Sequence, residues 1–593
     1  MIGVVDAIAA CEGVHGKGFT FVSAKGPGED LFLDFDALGL EIRRRAAHLR
    51  ALGLRKGDRV ALVIPDGPDF IPLFLGALWA GIVPVPLYPP TSLGKLDAFM
   101  EALVGILNVA EPRILATDAR IAKVLWGAIG RVPSIEKVVE VKDLAAPAPE
   151  GSSDAREPTS DSDLAFLQFT SGSTAAPKGV MVTHGNLKAN CNAILFDGIK
   201  LKVPSDDVAV SWLPLYHDMG LIGCVLCPLI GRIPAVYIPT LAFIKNATLW
   251  LETIHKHRAT LTYAPNFAYA LVTKRAKPEQ LARWDLSRMR GFGCGAEPIN
   301  PDVMRAFVQT FAQSGLRPEA MLPSYGMAEA TLAMAFSGFG KPIHTDRIDA
   351  AAYHGERKAQ PVSNGTSALE IVCCGRAFPG HEFSIQDEAG RKLPERDVGE
   401  ICLRGPSVAA GYFRNPEATR AAGMGPDGGG WLRTGDLGYL ADGEIYISGR
   451  IKDILIVNGR NYYPQAIEWL LDDVPGLRKG SSIVFSRPGK SSEEVVIVAE
   501  TRERDLEALR TAIVAKVGDE MQLSVADVAF IAPGALPKTS SGKLQRRKTR
   551  ELYLLGKLPK AGIRPSSTRL LAARHAAVAL VGRARHIARG WFR

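Results

Sequence analysis

The sequence predicts an α/β protein: a large N-terminal domain of parallel-sheet α/β subdomains plus a β-rich subdomain, followed by a small mobile α+β C-terminal domain. Three observations carry this. The chain has 593 residues, too many for one ordinary core. Residues 36–335 alternate strand-like and helix-like apolar patterns, the rhythm of parallel sheets covered by helices. From about Ile371 short strands separated by Gly/Asp turns take over, and after Gly449 a compact stretch mixes helix and strand.

In chain order, Leu38 to Leu52 has the apolar spacing of an amphipathic helix, closed by Gly53. Arg59 to Ile64 reads as a buried strand, Phe70 to Ala80 as a helix and Ile82 to Pro86 as a strand. Residues 144–163, rich in Pro, Ser and Asp, read as a surface loop before the strand Leu164 to Phe169. Gly338 to Leu369 is polar and Gly-containing, an insertion between strands. Glu382 to Gln386, Glu400 to Arg404 and Glu444 to Ser448 are the short strands of the β-rich part. The last unit is expected to use a helix at Pro464 to Leu471, strands at Ser481 to Ser486 and Glu494 to Ala499, and a helix from Asp505 to Val517.

Composition removes several function classes. No apolar run reaches the ~20 residues of a membrane-spanning helix. No basic segment precedes an apolar stretch at the N-terminus, so export is not expected and a cytoplasmic location is. Eight cysteines are too sparse for a disulfide scaffold. Cys224 and Cys227 form a CxxC inside an apolar run with no second ligand pair, and Cys373 and Cys374 read as strand residues. The net charge of +9 is concentrated at one end: Lys538 to Arg593 holds fifteen basic residues and one acid, leaving −5 on the rest. Nucleic acid is therefore not an expected partner.

The chemistry-bearing signal is Phe169-Thr170-Ser171-Gly172-Ser173-Thr174-Ala175-Ala176-Pro177-Lys178-Gly179, directly after a buried strand. Consecutive hydroxyls and a glycine let backbone N–H and side-chain O–H groups converge on phosphate oxygens, and Lys178 adds charge. A Ser/Gly surface turn is the plainer alternative. GxxxxGK[ST] is absent, so the loop is not a Walker loop. Gly291 to Ala296 fits the looser dinucleotide pattern GxGxxA, but Leu286 to Arg290 is a poor strand and no ribose-binding acid follows at the right spacing.

The loop resembles the phosphate-binding signature of the adenylate-forming enzymes, which include acyl-CoA synthetases, peptide-synthetase adenylation domains and luciferases. The resemblance recurs in family order in Gly295-Ala296-Glu297-Pro298, Tyr325-Gly326-Met327-Ala328-Glu329, Thr434-Gly435-Asp436, Gly449-Arg450-Ile451-Lys452-Asp453 and Pro537 to Lys543. It implies ATP as cosubstrate, with Thr170 to Thr174, Lys178, Gly295 to Pro298 and Ser324 to Met327 around the nucleotide. Tyr325 would stack on adenine, and Asp436 and Arg450 would meet the ribose. Glu329, with the Thr174 hydroxyl, would hold Mg²⁺, a hard cation that prefers oxygen ligands. Lys543 would reach the α-phosphate and the incoming carboxylate, and Lys452 would be the hinge about which the small domain turns.

Trp212 to Leu221, with His217 and Asp218 in apolar surroundings, resembles the fatty-acyl-AMP ligase branch, as do Ala264 to Tyr269, Gly326 to Leu332 and Asn458 to Pro464. There His217 would stand beside the substrate carboxyl, with Asp218, Met219, Asn266 and Phe267 around the acyl pocket. The branch implies a long-chain fatty acid as substrate and the phosphopantetheine thiol of a holo acyl carrier protein, or of a carrier domain, as acceptor. Its marker segment would fall within Arg347 to Leu369. The implied organisation is a large domain over 1–448 with an insertion near 347–369, a hinge at 449–453, a small domain over 454–565 and a basic amphipathic tail over 566–593. That tail has a membrane surface or an acidic partner as candidate contacts, with a solvated terminus as the plain alternative. No carrier or synthase domain fits the remaining residues, so a standalone enzyme is expected. An acyl-CoA ligase and a non-catalytic acyl- or nucleotide-binding module remain alternatives.

Overall fold

Helix Phe35–Ala51 shows how local sequence sets the architecture in this computed structural model. Asp34 caps it by accepting the Ala37 amide at 2.8 Å. Leu38, Ile42, Ala46 and Leu49, spaced four, four and three apart, are fully buried on one face. Burying each of the larger three stabilises by roughly 1.5–3 kcal/mol relative to exposure. That face meets helix Gly67–Trp79, where Gly76 is required: a Cβ there would lie 2.8 Å from the Ile42 carbonyl oxygen. The structure describes residues 1–559 apart from 24–27, 66, 91–95, 171–176, 363–367, 427, 458–459, 490–492, 522 and 540–542.

Strand Arg59–Val63 is apolar on both faces, as a strand covered on both sides must be. It pairs in parallel with Val83–Pro86 and Ile114–Thr117, and Lys137–Glu140 completes a four-stranded parallel sheet. A nine-stranded sheet lies beside it, with a parallel centre ordered Met321–Gly326, Gly291–Cys294, Leu261–Ala264, Ala209–Ser211, Ala235–Tyr237, Gly18–Phe21. Antiparallel strands Leu31–Asp34 on one side and Ala333–Phe336 with Arg376–Ala377 on the other finish it. Leu164–Thr170 and Lys178–Thr183 form an antiparallel pair flanking the hydroxyl-rich loop. This is the mixed α/β architecture the sequence predicts.

The β-rich part is an antiparallel sheet of Glu382–Gln386, Gly399–Arg404, Leu432–Ala441 and Glu444–Arg450. The strand texture begins earlier than the sequence suggests. Thr345–Asp349 pairs with Ala368–Val372 inside the expected insertion, and helix Ala350–Glu356 lies between them. Its Ile348 and Tyr353 are buried against Tyr439, Tyr446 and Tyr463, contacts that no local pattern reveals. The C-terminal segment has its own core, in which Ile467 and Leu471 of helix Pro464–Leu471 pack on Ile497 and on Ile513 and Val517 of helix Leu506–Met521.

All eight cysteines are buried free thiols. Cys373 and Cys374 fall just past the end of strand Ala368–Val372, not within it as expected; Cys373 makes a single bridge to Tyr446. Gly291–Cys294 is itself a buried strand, which removes the dinucleotide reading of its glycines, since that pattern needs them in a strand-to-helix turn. Among the described residues no helix is long and apolar enough to cross a membrane.

Candidate active site

Parallel strands deliver their following residues to one edge of a sheet, where ligands of open α/β folds bind. Here Ala209–Ser211 leads to His217 and Asp218, Leu261–Ala264 to Asn266 and Phe267, Gly291–Cys294 to Gly295 through Pro298, and Met321–Gly326 to Met327 and Glu329. All of them line one cavity of about 3860 Å³, together with Lys178, Ser324, Tyr325, Asp436, Arg450, Lys452 and Lys543. The loop residues Ser171, Gly172, Ser173 and Thr174 lie outside the described residues, as does the tail over 566–593. Thr170 ends the strand that enters this loop.

Asp436 is buried and accepts the Tyr325 hydroxyl at 2.8 Å on one oxygen and the Arg450 Nε at 3.1 Å on the other. Its own amide is held by the Thr434 hydroxyl at 3.0 Å. Burial pushes the Asp436 carboxyl up, against the opposing pull of Arg450 and the Tyr325 hydroxyl. Gly326, where the strand is bulged, admits no side chain: a Cβ would sit 2.0 Å from the Leu332 carbonyl oxygen.

Glu329 stands in the short turn Ala328–Ala330 and accepts the Tyr412 hydroxyl at 2.7 Å. Burial raises its carboxyl above the usual range, and Asp218 adds to that while Tyr412 and Arg450 oppose it. The turn ends in strain. Thr331 has φ +67° and ψ −64°, and the Leu332 amide bonds back to the Ala330 carbonyl at 2.8 Å, a γ-turn that β-branched residues rarely adopt. The Thr331 hydroxyl donates to the Ser407 carbonyl at 2.7 Å and pins it.

After strand Ala209–Ser211, His217 Nδ1 lies 2.5 Å from Asp218 Oδ1, and Asp218 also accepts the Met219 amide at 2.7 Å. Burial alone would raise the Asp218 carboxyl; His217 and Lys543 outweigh it and hold the group below its ordinary value. Glu297 accepts the Phe267 amide at 3.0 Å, yet burial leaves its carboxyl raised despite Lys543 and Lys538. Lys543 arrives from the C-terminal segment; burial lowers its ammonium pKa against the opposing pull of Asp218 and Glu297. Part of the cavity wall is apolar: Trp212, Leu241, Phe267, Leu271, Leu332 and Phe336. Lys452 sits exposed in the turn Ile451–Asp453, between the β-rich sheet and the C-terminal segment.

Sequence reasoning missed Tyr412. Its hydroxyl reaches Glu329 and its ring lies 4.8 Å from the Lys178 ammonium, yet it comes 83 residues after Glu329, on a Gly-Tyr-Phe strip bridged to Val180. No local spacing could have found it.

Residues 18–413 match the AMP-binding enzyme family, and residues 452–562 match the AMP domain of Disco-interacting protein 2-like proteins. The chain is 38% identical over 521 residues to a Caulobacter vibrioides protein named, provisionally, an acyl-CoA synthetase, covering 86% of this chain and 88% of that one. It is 35% identical over 558 residues to the medium-chain-fatty-acid–[acyl-carrier-protein] ligase of Moorena producens, covering 91% and 93%. A structure from a study of fatty acyl-adenylate ligases of E. coli and L. pneumophila superposes with a TM-score of 0.87 at 34% identity, covering 94% of this chain and 98% of the other. With the site assembled at the strand ends and this similarity along nearly its whole length, the chain belongs to the AMP-binding enzyme family, as an adenylate-forming ligase of the fatty-acyl-AMP ligase branch.

Proposed function

We propose that the chain activates a long-chain fatty acid with ATP to acyl-AMP and passes the acyl group to the phosphopantetheine thiol of a holo acyl carrier protein. The observation that carries this is the meeting, in one partly apolar cavity, of Lys543 from the C-terminal segment with His217, Asp218, Glu329 and Asp436. In the first step a carboxylate oxygen attacks the α-phosphorus, an O–P bond forms and pyrophosphate leaves. The site supplies orientation and counter-charge. Lys543 faces the attacking carboxylate and the α-phosphate, Asp436 and Arg450 hold the ribose, Tyr325 lies against adenine, and Lys178 with the loop 170–174 cradles the other phosphates.

Mg²⁺ fits the donor set. Glu329 presents a carboxylate to the cavity, a hard oxygen donor of the kind Mg²⁺ prefers. Among the described residues no group of three or more His, Cys, Asp and Glu could hold a metal, so phosphate oxygens and water would complete its shell around Glu329 and Thr174. When bound, the ion would neutralise the departing pyrophosphate. In the second step the thiol sulfur attacks the acyl carbonyl and AMP leaves, after the small domain (454–565) turns about Lys452, the hinge lying within 449–453.

The acceptor choice rests on the segment Arg347 to Leu369. Its His354 lies with Nδ1 2.7 Å from the Asn461 carbonyl oxygen and stacks on Tyr462, while Tyr353 packs on Tyr463. The insertion thus grips the base of the unit that must turn, and a carrier protein could offset that grip with docking contacts that free coenzyme A lacks. The test gives the enzyme ATP, Mg²⁺ and palmitate with either coenzyme A or a holo carrier protein. Acyl-AMP accumulation, carrier loading and little acyl-CoA are expected. Robust acyl-CoA synthesis would favour the second reading, an acyl-CoA ligase, which the name of the Caulobacter relative supports. The tail over 566–593 is proposed to contact an acidic carrier or an anionic membrane. Truncation after Pro565 should weaken binding to carrier or to phosphatidylserine vesicles while sparing adenylation, and unchanged binding to both would remove that role.

A further inference from the structure

Tyr412 lies on a strip that is tied on both sides. The Ala409 amide donates to the Glu329 carbonyl at 2.9 Å, and the Ala410 amide to the Met181 carbonyl at 3.1 Å. The Met181 amide returns a bond to the Gly411 carbonyl at 2.8 Å, and the Phe413 amide donates to the Gly179 carbonyl at 2.8 Å. The strip therefore bridges the turn bearing Glu329 and the strand Lys178–Thr183. Tyr412, only 7% exposed, is the residue whose side chain faces the cavity across that bridge. Its hydroxyl donates to Glu329 Oε1 at 2.7 Å, and its ring receives the Lys178 Nζ at 4.8 Å from the centroid, within the roughly 6 Å reach of a cation–π contact.

We infer that Tyr412 is a positioning residue that sets Glu329 and Lys178 against one another through a single ring, hydroxyl to the acid and face to the cation. The two contacts reinforce each other. Donation to a carboxylate polarises the O–H bond, which enriches the ring in electron density and strengthens its hold on the ammonium. A rigid ring also fixes the separation of two opposite charges, which would otherwise close on each other when no phosphate lies between them. The inference rests on the reading of Glu329 and Lys178 as the groups that serve the phosphates.

The test uses the full chain, with pyrophosphate exchange giving kcat and KM for ATP. Melting with ATP in EDTA reports on nucleotide binding without metal. Tyr412→Phe keeps the ring face and loses the donor. It should lower kcat about tenfold, the size of a lost hydrogen bond to a charged group, leave KM for ATP within about twofold, and retain the ATP-induced melting shift. Tyr412→Leu should show the same kcat loss, raise KM for ATP about tenfold, and reduce the melting shift to that of Lys178→Ala. A residue that only supports the fold would lower the melting temperature of the free protein without this split. Wild-type kcat in Tyr412→Phe, or wild-type KM in Tyr412→Leu, overturns the inference. Should Tyr412→Leu fail to fold, the double variant Tyr412→Phe/Lys178→Ala decides: losses smaller than the product of the single ones support the coupling, and multiplicative losses overturn it. If Lys178→Ala itself leaves ATP binding unchanged, the reading of the phosphate site has failed instead.

Discussion

Replacing Lys543 by Ala separates scaffold from chemistry unusually well. The loop that presents it is held by backbone and by Thr539: the Thr539 amide donates to the Lys543 carbonyl at 2.7 Å, and the Lys543 amide to the Thr539 hydroxyl at 3.0 Å. The following helix is anchored by Arg546, which bonds Glu468 at 2.9 Å and also pairs with Asp453. None of these contacts uses the lysine side chain. Its loss therefore removes one preorganised charge, and such a charge aimed at a transition state contributes about 2.7–4 kcal/mol, a 10²–10³-fold fall in adenylation. Stability should move the other way. Burial holds the folded pKa of Lys543 below its unfolded value, so the unfolded chain binds the proton more readily and stability is lost as pH falls through the folded pKa. The buried lysine thus costs stability below its unfolded pKa, and Lys543→Ala should melt no lower than the parent. Stopped assays would follow pyrophosphate exchange in one series and thioester formation from preformed acyl-AMP in the other. An equal loss in both half-reactions, or a lower melting temperature with both lost, would refute the reasoning.

Glu297→Gln should flatten the pH dependence of stability. Burial raises the folded pKa of Glu297, so its contribution is full below the ordinary Glu range and lost as pH rises through the folded value; melting curves between pH 4 and 8 should diverge in favour of Gln at the alkaline end. Thr331→Ala removes the 2.7 Å bond to Ser407 and keeps the γ-turn strain, so chemical denaturation should show a loss of about 1–3 kcal/mol. Asp436→Asn should raise KM for ATP by at least tenfold with a smaller change in kcat, since it weakens ribose binding in ground and transition states alike. His354→Ala, which cuts the insertion's contact with Asn461 and Tyr462, should raise acyl-CoA formation while pyrophosphate exchange stays constant; unchanged thioester output would remove the insertion from acceptor choice.

Much of the site was legible because its residues come in short runs at strand ends. Gly295 to Pro298 and Ser324 to Met327 announce themselves locally, and the parallel sheet then sets the runs side by side. What the sequence hides is pairing across distance. Tyr325 donates to Asp436 from 111 residues away, and Tyr412 to Glu329 from 83. The early start of the β-rich part at Thr345 was hidden for a similar reason: Thr345–Asp349 is a polar strand whose pattern shows no alternation, and it is stabilised by Ala368–Val372 and by tyrosines of other elements. Thr331 was equally invisible, since a strained β-branched residue reads as an ordinary one until its backbone angles are known.

The central claim is that this cavity joins a fatty acid to AMP. Pyrophosphate exchange measured with and without palmitate, with mass detection of the adenylate, tests it most directly. Exchange should depend on the fatty acid, accumulate palmitoyl-AMP and disappear in Lys543→Ala. Exchange that ignores the acid, or a well-folded protein that binds ATP and forms no adenylate with any fatty acid, would contradict it.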